Sequence, residues 1–317
     1  MDDSSLVTHR LLMKLRLLIT GGSGYLGQHL VPLAAEGHKL LYTWLTHDPL
    51  EKGVPSSSLS SLNFQGTGER QGNLNSRPLD VRQGPAVQQL VLEWRPDVII
   101  HLAGSNHAPD LHTMETTIVQ GATQVTAAAA VVGARLIYLS TDVLFDGRHA
   151  PYREEDPPSP IHPYGRAKAA AEMIVRGYPN HVIVRTSLIY GLRLMDWSTQ
   201  WLVEALRAGR PATLFTNQLR QPTWVETLGR ACLELAEAGY CGTLHVAGRQ
   251  AMSRAEFGLK MLDWWGVYER STLHLAADDG SRWPLDCRLD VSLATRVLKT
   301  ALPGFDEVAQ MRSQNIA

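Results

Sequence analysis

Short apolar runs alternate with helical spacing along the first part of the chain. Leu15–Thr20 reads as a buried strand, followed by a glycine-rich turn. Gln28–Glu36 carries apolar positions at helical spacing and stops at Gly37, a natural C-terminal cap. Lys39–Leu45 is a second strand. Thr46–Arg77 is polar, rich in Ser, Gly and Asn and without a period, and reads as a long mobile or functional loop. A short third strand is expected to lead into Leu79–Asp80. Val87–Trp94 is helical, Asp97–Leu102 is continuously apolar, Thr116–Val132 is a helix and Leu136–Leu139 the next strand. Strands that are apolar throughout and alternate with helices imply a parallel sheet covered on both faces. The second half is less regular, with helices expected over Tyr164–Arg176, Gln200–Ala208, Glu226–Ala238 and Arg254–Trp265. His181–Ile189 and Gly242–Val246 read as further strands.

Composition narrows the classes. The 317 residues suggest two domains or one large one, at about 150 residues each. Lys and Arg number 30 against 31 Asp and Glu, so the chain lacks the basic footprint of a nucleic-acid binder. With 44% hydrophobic and 19% charged residues it can bury a sizeable core and is not globally disordered. Cys232, Cys241 and Cys287 are odd in number and form no CxxC pair, which points to reduced thiols and a cytoplasmic location. No run approaches the ~18 apolar residues of a membrane span; the Ala-rich stretch Val125–Ala134 is the most apolar and is short. The start Met1-Asp2-Asp3-Ser4-Ser5 is acidic where a signal peptide would be basic, and residues 1–12, before Met13, read as a mobile extension.

Three motifs carry chemistry. In Thr20-Gly21-Gly22-Ser23-Gly24-Tyr25-Leu26-Gly27, glycines recur as GxxGxxG between a strand and a helix. Glycine permits the tight turn, close approach of backbone to a pyrophosphate, and close helix–strand packing. The phosphates would meet free N–H groups at the helix start. The candidate cofactor residues are therefore Gly21, Ser23, Gly24, Tyr25, Leu26 and Gly27, with Asp80, Val81, Leu102, Ala103 and Gly104 at later strand ends. The end of the second strand reads Trp44-Leu45, with no carboxylate to repel a 2′-phosphate, and Thr46, His47 and Lys52 follow. NADP is favoured, NAD the alternative. Asp80 fits an acceptor for the adenine amino group or, equally, a helix N-cap.

In Tyr164-Gly165-Arg166-Ala167-Lys168, the phenol and the ammonium are four residues apart on one helix face. A neighbouring ammonium favours the phenolate and is expected to lower the phenol pKa from ~10 by roughly 1–3 units. Tyr164 then fits an acid that protonates a carbonyl oxygen as hydride arrives. Ser140–Gly147 directly follows a buried strand, so the Thr141 hydroxyl sits where open parallel sheets bind ligands.

Gly21, Gly24, Gly27, Thr141, Tyr164 and Lys168 together resemble the extended short-chain dehydrogenase/reductase family. Ser140–Gly147, Arg185–Gly191, Gln221–Val225, Gly242–Gly248 and Pro284–Asp290 are similar to its dTDP-4-dehydrorhamnose reductase branch. The resemblance spans about residues 14–298. It implies a Rossmann-type doubly wound parallel sheet over 14–190, with parts of 221–248 returning to it. A smaller, mixed α/β substrate-binding region would occupy 191–317. It also implies hydride transfer to the ketone of a nucleotide-linked 4-keto sugar. Tyr164 would give the proton, Lys168 would tune Tyr164 and hold the nicotinamide ribose, and Thr141 would orient the carbonyl. Asp142 is followed by Val143 rather than Glu, which disfavours dehydration.

Some positions depart from that family's pattern. Ile118-Val119-Gln120-Gly121-Ala122 lacks the usual Asn, Asn217 replaces an Asp, and Trp283 an Arg. His101, His107 and His112 fit no metal-ligand spacing, so no metal is expected. Asn106 and His107 are expected to line the substrate cleft, Arg220 to meet a substrate phosphate, and Trp224 an apolar ring. Arg185 reads as a brace of the sheet, and Trp264 and Trp265 as core or interface. The expected partner is a small molecule, a sugar nucleotide, with no nucleic acid or membrane and with a homodimer as the assembly. The rival functions are reduction or epimerisation of another carbonyl compound, and an NADP-binding regulatory subunit without turnover.

Overall fold

A computed structural model describes residues 14–46, 74–104 and 109–314. The first half runs β1 (Arg16–Thr20), α1 (Tyr25–Gly37), β2 (Lys39–Trp44), β3 (Leu74–Pro78), α2 (Gly84–Trp94), β4 (Val98–His101), α3 (Leu111–Val132), β5 (Arg135–Thr141), α4 (Pro163–Arg176) and β6 (His181–Thr186). Then follow β7 (Ile189–Tyr190), α5 (Trp197–Arg207), β8 (Ala212–Phe215), β9 (Leu219–Arg220), β10 (Thr223–Trp224), α6 (Val225–Glu237), β11 (Gly242–His245), β12 (Met252–Ser253), α7 (Arg254–Trp264), β13 (Leu273–Ala276), α8 (Ser292–Val297) and α9 (Phe305–Gln314).

Seven strands form one sheet in the order β11-β6-β5-β4-β1-β2-β3, every pair parallel. Its strands are apolar on both faces because both faces are covered. Leu17 and Ile19 of β1 pack under α1 and α6 with Val98 and Ile100, whereas Leu18 points the other way, toward α2, α3 and α4, with Ile99 and Leu136. The two-residue side-chain period thus splits one apolar run between two cores. This is a doubly wound Rossmann-type α/β sheet.

Strand β11 enters this sheet beside β6, so the segment after residue 221 does send one strand back to it. α6 and α8 also pack into the sheet core, and the other C-terminal elements build a smaller body. β8 pairs in parallel with β13, and α5, β8 and α7 share the core of Leu202, Leu206, Leu214 and Leu262. A second cluster joins Tyr190, Phe257, Met261 and Phe305.

Several boundaries differ from the sequence pattern, each for a local reason. α3 starts five residues early, at Leu111, because the Asp110 carboxylate accepts the Thr113 N–H at 2.8 Å. α5 starts at Trp197 under the equivalent cap from Asp196. β3 lies inside the stretch read as loop; its polar side chains are carried by backbone pairing to β2. β6 stops at Thr186, since Ser187 turns inward to donate to Asp142 at 2.6 Å. β8, β13, α8 and α9 were not legible as elements at all.

Candidate active site

The glycine turn sits at the carboxyl end of β1. Gly21 has φ +75°, and a Cβ there would stand 2.8 Å from the Ala103 backbone nitrogen. A Cβ on Gly27 would meet the Gly21 and Gly22 carbonyls at 2.6 Å, and one on Gly22 would meet the Tyr42 ring at 2.7 Å. These positions are closed to larger residues because β1, α1 and the Leu102–Gly104 loop converge there. Gly24 is the N-cap of α1 and supplies no side-chain acceptor, and the first turn carries no acid. The free N–H groups and positive helix end therefore suit a dinucleotide phosphate. The Tyr25 hydroxyl donates to the Leu194 carbonyl at 2.7 Å, so this phenol latches the turn to the C-terminal body. The Ser23 carbonyl accepts from Gln28, and Leu26 is buried.

Asp80 does not cap α2; Gln83 does. Both Asp80 oxygens accept from the Arg82 guanidinium, at 2.6–3.0 Å, which holds the carboxyl below its ordinary range. Val81 is buried at the position a Gly121 Cβ would take, and Gly104, φ +117°, is equally close to Ile118. His47, Lys52, Asn106 and His107 lie outside the described residues.

Tyr164 and Lys168 occupy the first turns of α4, which His162 caps by accepting the Tyr164 N–H. The buried Lys168 Nζ donates to the Leu139 carbonyl of β5 at 2.9 Å and stands 4.9 Å from the Tyr138 ring and 5.9 Å from the Tyr164 ring. Burial lowers the Lys168 ammonium to about 8, with Glu172 opposing the shift. For Tyr164 the sequence expectation fails. Burial, followed by the nearby Asp142 carboxyl, raises its hydroxyl above the ordinary phenol value. Desolvation of a phenolate outweighs the ammonium here, because Nζ is spent on a carbonyl rather than on the phenol oxygen. A phenol held neutral remains a competent proton donor.

Thr141 ends β5 and donates from Oγ1 to Asp142 Oδ1 at 3.3 Å. Asp142 is a buried node the motif reading passed over. It accepts from Ser187, faces Arg220 Nε at 3.8 Å, and burial raises its carboxyl. Arg220, expected on a substrate phosphate, is instead buried with its Nη donors on the Leu219, Leu285 and Pro284 carbonyls at 2.7–3.0 Å. Trp224 packs beneath the Arg312 guanidinium, 5.0 Å away, and joins both neighbouring apolar clusters. Arg185 does brace the sheet, pairing with Glu172 at 2.9–3.0 Å while both are fully buried. Asn217 ties the Asp278 backbone in both directions, and Trp283 stacks on His162 with ring centres 3.7 Å apart. Among the described residues no three His, Cys, Asp or Glu side chains cluster as metal ligands.

The glycine turn, the strand-end loop after β4, and the Thr141–Tyr164–Lys168 corner all face the carboxyl edge of one parallel sheet. The chain matches the RmlD substrate binding domain over residues 15–311. It belongs to that family. The resemblance read from the motifs is therefore borne out. The probable low-salt glycan biosynthesis reductase Agl14 of Haloferax volcanii is 29% identical over 309 residues, covering 91% of this chain and 94% of that protein. Methionine adenosyltransferase 2 subunit beta of Bos taurus is 28% identical over 246 residues, 72% of each chain. The dTDP-4-dehydrorhamnose reductase of Bacillus anthracis, solved with NADP, superposes with a TM-score of 0.71 at 24% identity, over 93% of this chain and 96% of that one.

Proposed function

We propose that this RmlD-family chain is a nicotinamide-dependent reductase that acts on the keto group of a nucleotide-linked 4-keto sugar. NADP is the favoured cofactor and NAD the alternative. The observation that carries the reading is the corner at the end of β5. There Thr141, the neutral phenol of Tyr164 and the buried ammonium of Lys168 converge, beside a glycine turn that a Cβ at Gly21 or Gly27 would fill. Family membership and the named glycan reductase relative support it.

The reduced nicotinamide, when bound, supplies hydride to the ketone carbon. Gly21–Gly27 and the α1 N-terminus would hold its pyrophosphate, with Leu102–Gly104 and Val81 as its neighbours at the strand ends. Tyr164 keeps its proton at neutral pH and delivers it from the hydroxyl to the ketone oxygen as negative charge develops there. Lys168 places positive charge beside that oxygen and the nicotinamide ribose. Thr141 donates a hydrogen bond that orients the carbonyl, once its Oγ1 exchanges Asp142 for the ligand.

The test is NADPH oxidation followed at 340 nm (instrument setting, roughly) with a panel of dTDP- and UDP-linked 4-keto sugars. Turnover on at least one sugar supports the reading. A second reading, a cofactor-binding regulatory subunit, is favoured by the likeness to methionine adenosyltransferase 2 subunit beta. Tight NADPH binding without turnover on the whole panel, with a co-purifying synthetase, would establish it instead. We further infer a cytoplasmic location, supported by the cysteine usage, and a homodimer. Light scattering at twice the chain mass supports the dimer and a monomer mass refutes it.

A further inference from the structure

Two arginines near the carboxyl edge of the sheet contrast: Arg220 is buried, and Arg254 is partly buried with its Nη1 atom shielded from solvent. Arg220 has its donors on three carbonyls and faces Asp142. Arg254 has none of this. Its position is fixed from the backbone: Ser253 caps α7 in a reciprocal box with Glu256, and the Arg254 N–H bonds the Gln218 carbonyl at 2.9 Å. The Glu256 carboxylate is consumed by that cap, accepting the Ser253 N–H at 2.6 Å, and does not reach the guanidinium. The Arg254 Nη1 is buried without a hydrogen-bond partner, and the side chain forms no ion pair among the described residues. The charged groups that surround it are Arg220, Asp196 and Asp142. Asp142 belongs to Ser187 and Arg220, and Asp196 is committed to the α5 cap through Thr199 N and Oγ1, at 3.1 and 2.6 Å. A guanidinium donor shielded from water and left unpaired is costly, while the partly exposed remainder of the side chain leaves room for an anion to complete it. Met252 of β12 pairs with Arg220, which faces Asp142 at 3.8 Å, so α7 begins close to the reaction corner, and Arg presents a planar fork matched to phosphate or carboxylate oxygens.

We propose that Arg254 is the oxyanion-binding residue of the substrate pocket and that it engages an anionic oxygen of the sugar nucleotide. This rests on the function proposed above and goes beyond it by naming the residue and the ligand chemistry. The oxygen comes either from the diphosphate or from a carboxylate on the sugar.

Titration calorimetry with the full-length chain distinguishes these sources. The ligands are UDP, uridine, UDP-glucose and UDP-glucuronic acid, tested on the wild type, Arg254→Ala and Arg254→Met, the last retaining the packed stem. A diphosphate contact predicts binding roughly 10- to 100-fold weaker for UDP and both UDP-sugars, with uridine unchanged. A sugar-carboxylate contact predicts the same loss for UDP-glucuronic acid alone. Either pattern supports the proposal, provided NADP affinity is unaltered and the ligand-free Tm of the variants is unchanged or higher. Equal affinities in wild type and variants overturn the proposal while leaving the reductase reading intact. So does a Tm lowered by several degrees, which would make Arg254 a structural brace. The same arms are run with dTDP, thymidine and dTDP-glucose, and a wild type that binds neither the uridine nor the thymidine diphosphates overturns the function reading and this proposal with it.

Discussion

Arg185, fully buried in β6 of the large sheet, and Arg254, partly buried at the start of α7, meet opposite electrostatic surroundings. Arg185 is matched on every side: Glu172 takes Nε and Nη2, and the Glu154 carbonyl and His245 Nε2 accept from Nη1. Burial and Arg185 keep His245 neutral by lowering it to about 3, so it can accept. Arg254 has no such shell. The Arg185 charge is thus closed within the fold, whereas Arg254 keeps one Nη donor without a protein acceptor.

Breaking the completed side has the largest expected effect. Glu172→Ala leaves the Arg185 guanidinium buried without its carboxylate and should cost about 3–5 kcal/mol in urea unfolding. A loss below about 1 kcal/mol would show that the pair is not a brace. Next comes the glycine turn, whose demands are steric rather than electrostatic. Gly21→Ala forces a Cβ into a left-handed backbone and against Ala103, costing about 1–2 kcal/mol and abolishing measurable NADP binding in calorimetry. Retained affinity would separate the turn from the cofactor.

The reaction corner lies between these extremes, and pH probes it. The Lys168 charge is present below about pH 8 and lost above it. Tyr164, raised by burial, stays protonated through that range. kcat/KM should fall above about pH 8, while the decline moves or disappears in Lys168→Arg. Stability runs the other way. The unfolded lysine holds its proton to ~10.4, so from about 8 upward the native state binds fewer protons and this group adds stability as pH rises. A flat rate profile to pH 10 would contradict the assignment. The smallest effect concerns the half-exposed Asp80–Arg82 pair, where Asp80→Asn should change stability by less than ~1 kcal/mol. A weakened NADP affinity in that variant would mark an adenine contact, and an unchanged one would leave Asp80 with its guanidinium alone.

The fold was largely legible because the signals were local. The apolar runs at Arg16–Thr20, Val98–His101 and Arg135–Thr141 and the GxxGxxG turn follow from side-chain period and glycine sterics. The third strand was expected before Leu79, but its start at Leu74 was read as loop because Leu74–Pro78 is polar and held by its neighbour's backbone. The Asp110 and Asp196 caps extended two helices beyond their apolar pattern. In the site, spacing found Thr141, Tyr164 and Lys168 but not the direction of the Tyr164 shift, which depends on burial contributed by distant segments. The same non-locality hid Asp142 with Ser187 and Arg220, separated along the chain yet joined in space. No spacing rule relates Arg254 to residue 142.

The central claim is that Tyr164 protonates a sugar ketone during hydride transfer, and a single-turnover comparison of wild type with Tyr164→Phe at pH 7 tests it most directly. NADPH oxidation by the wild type on a nucleotide 4-keto sugar should slow by roughly 10²–10⁴-fold in the variant, at unchanged NADPH affinity. Oxidation at an undiminished rate in Tyr164→Phe would contradict the account.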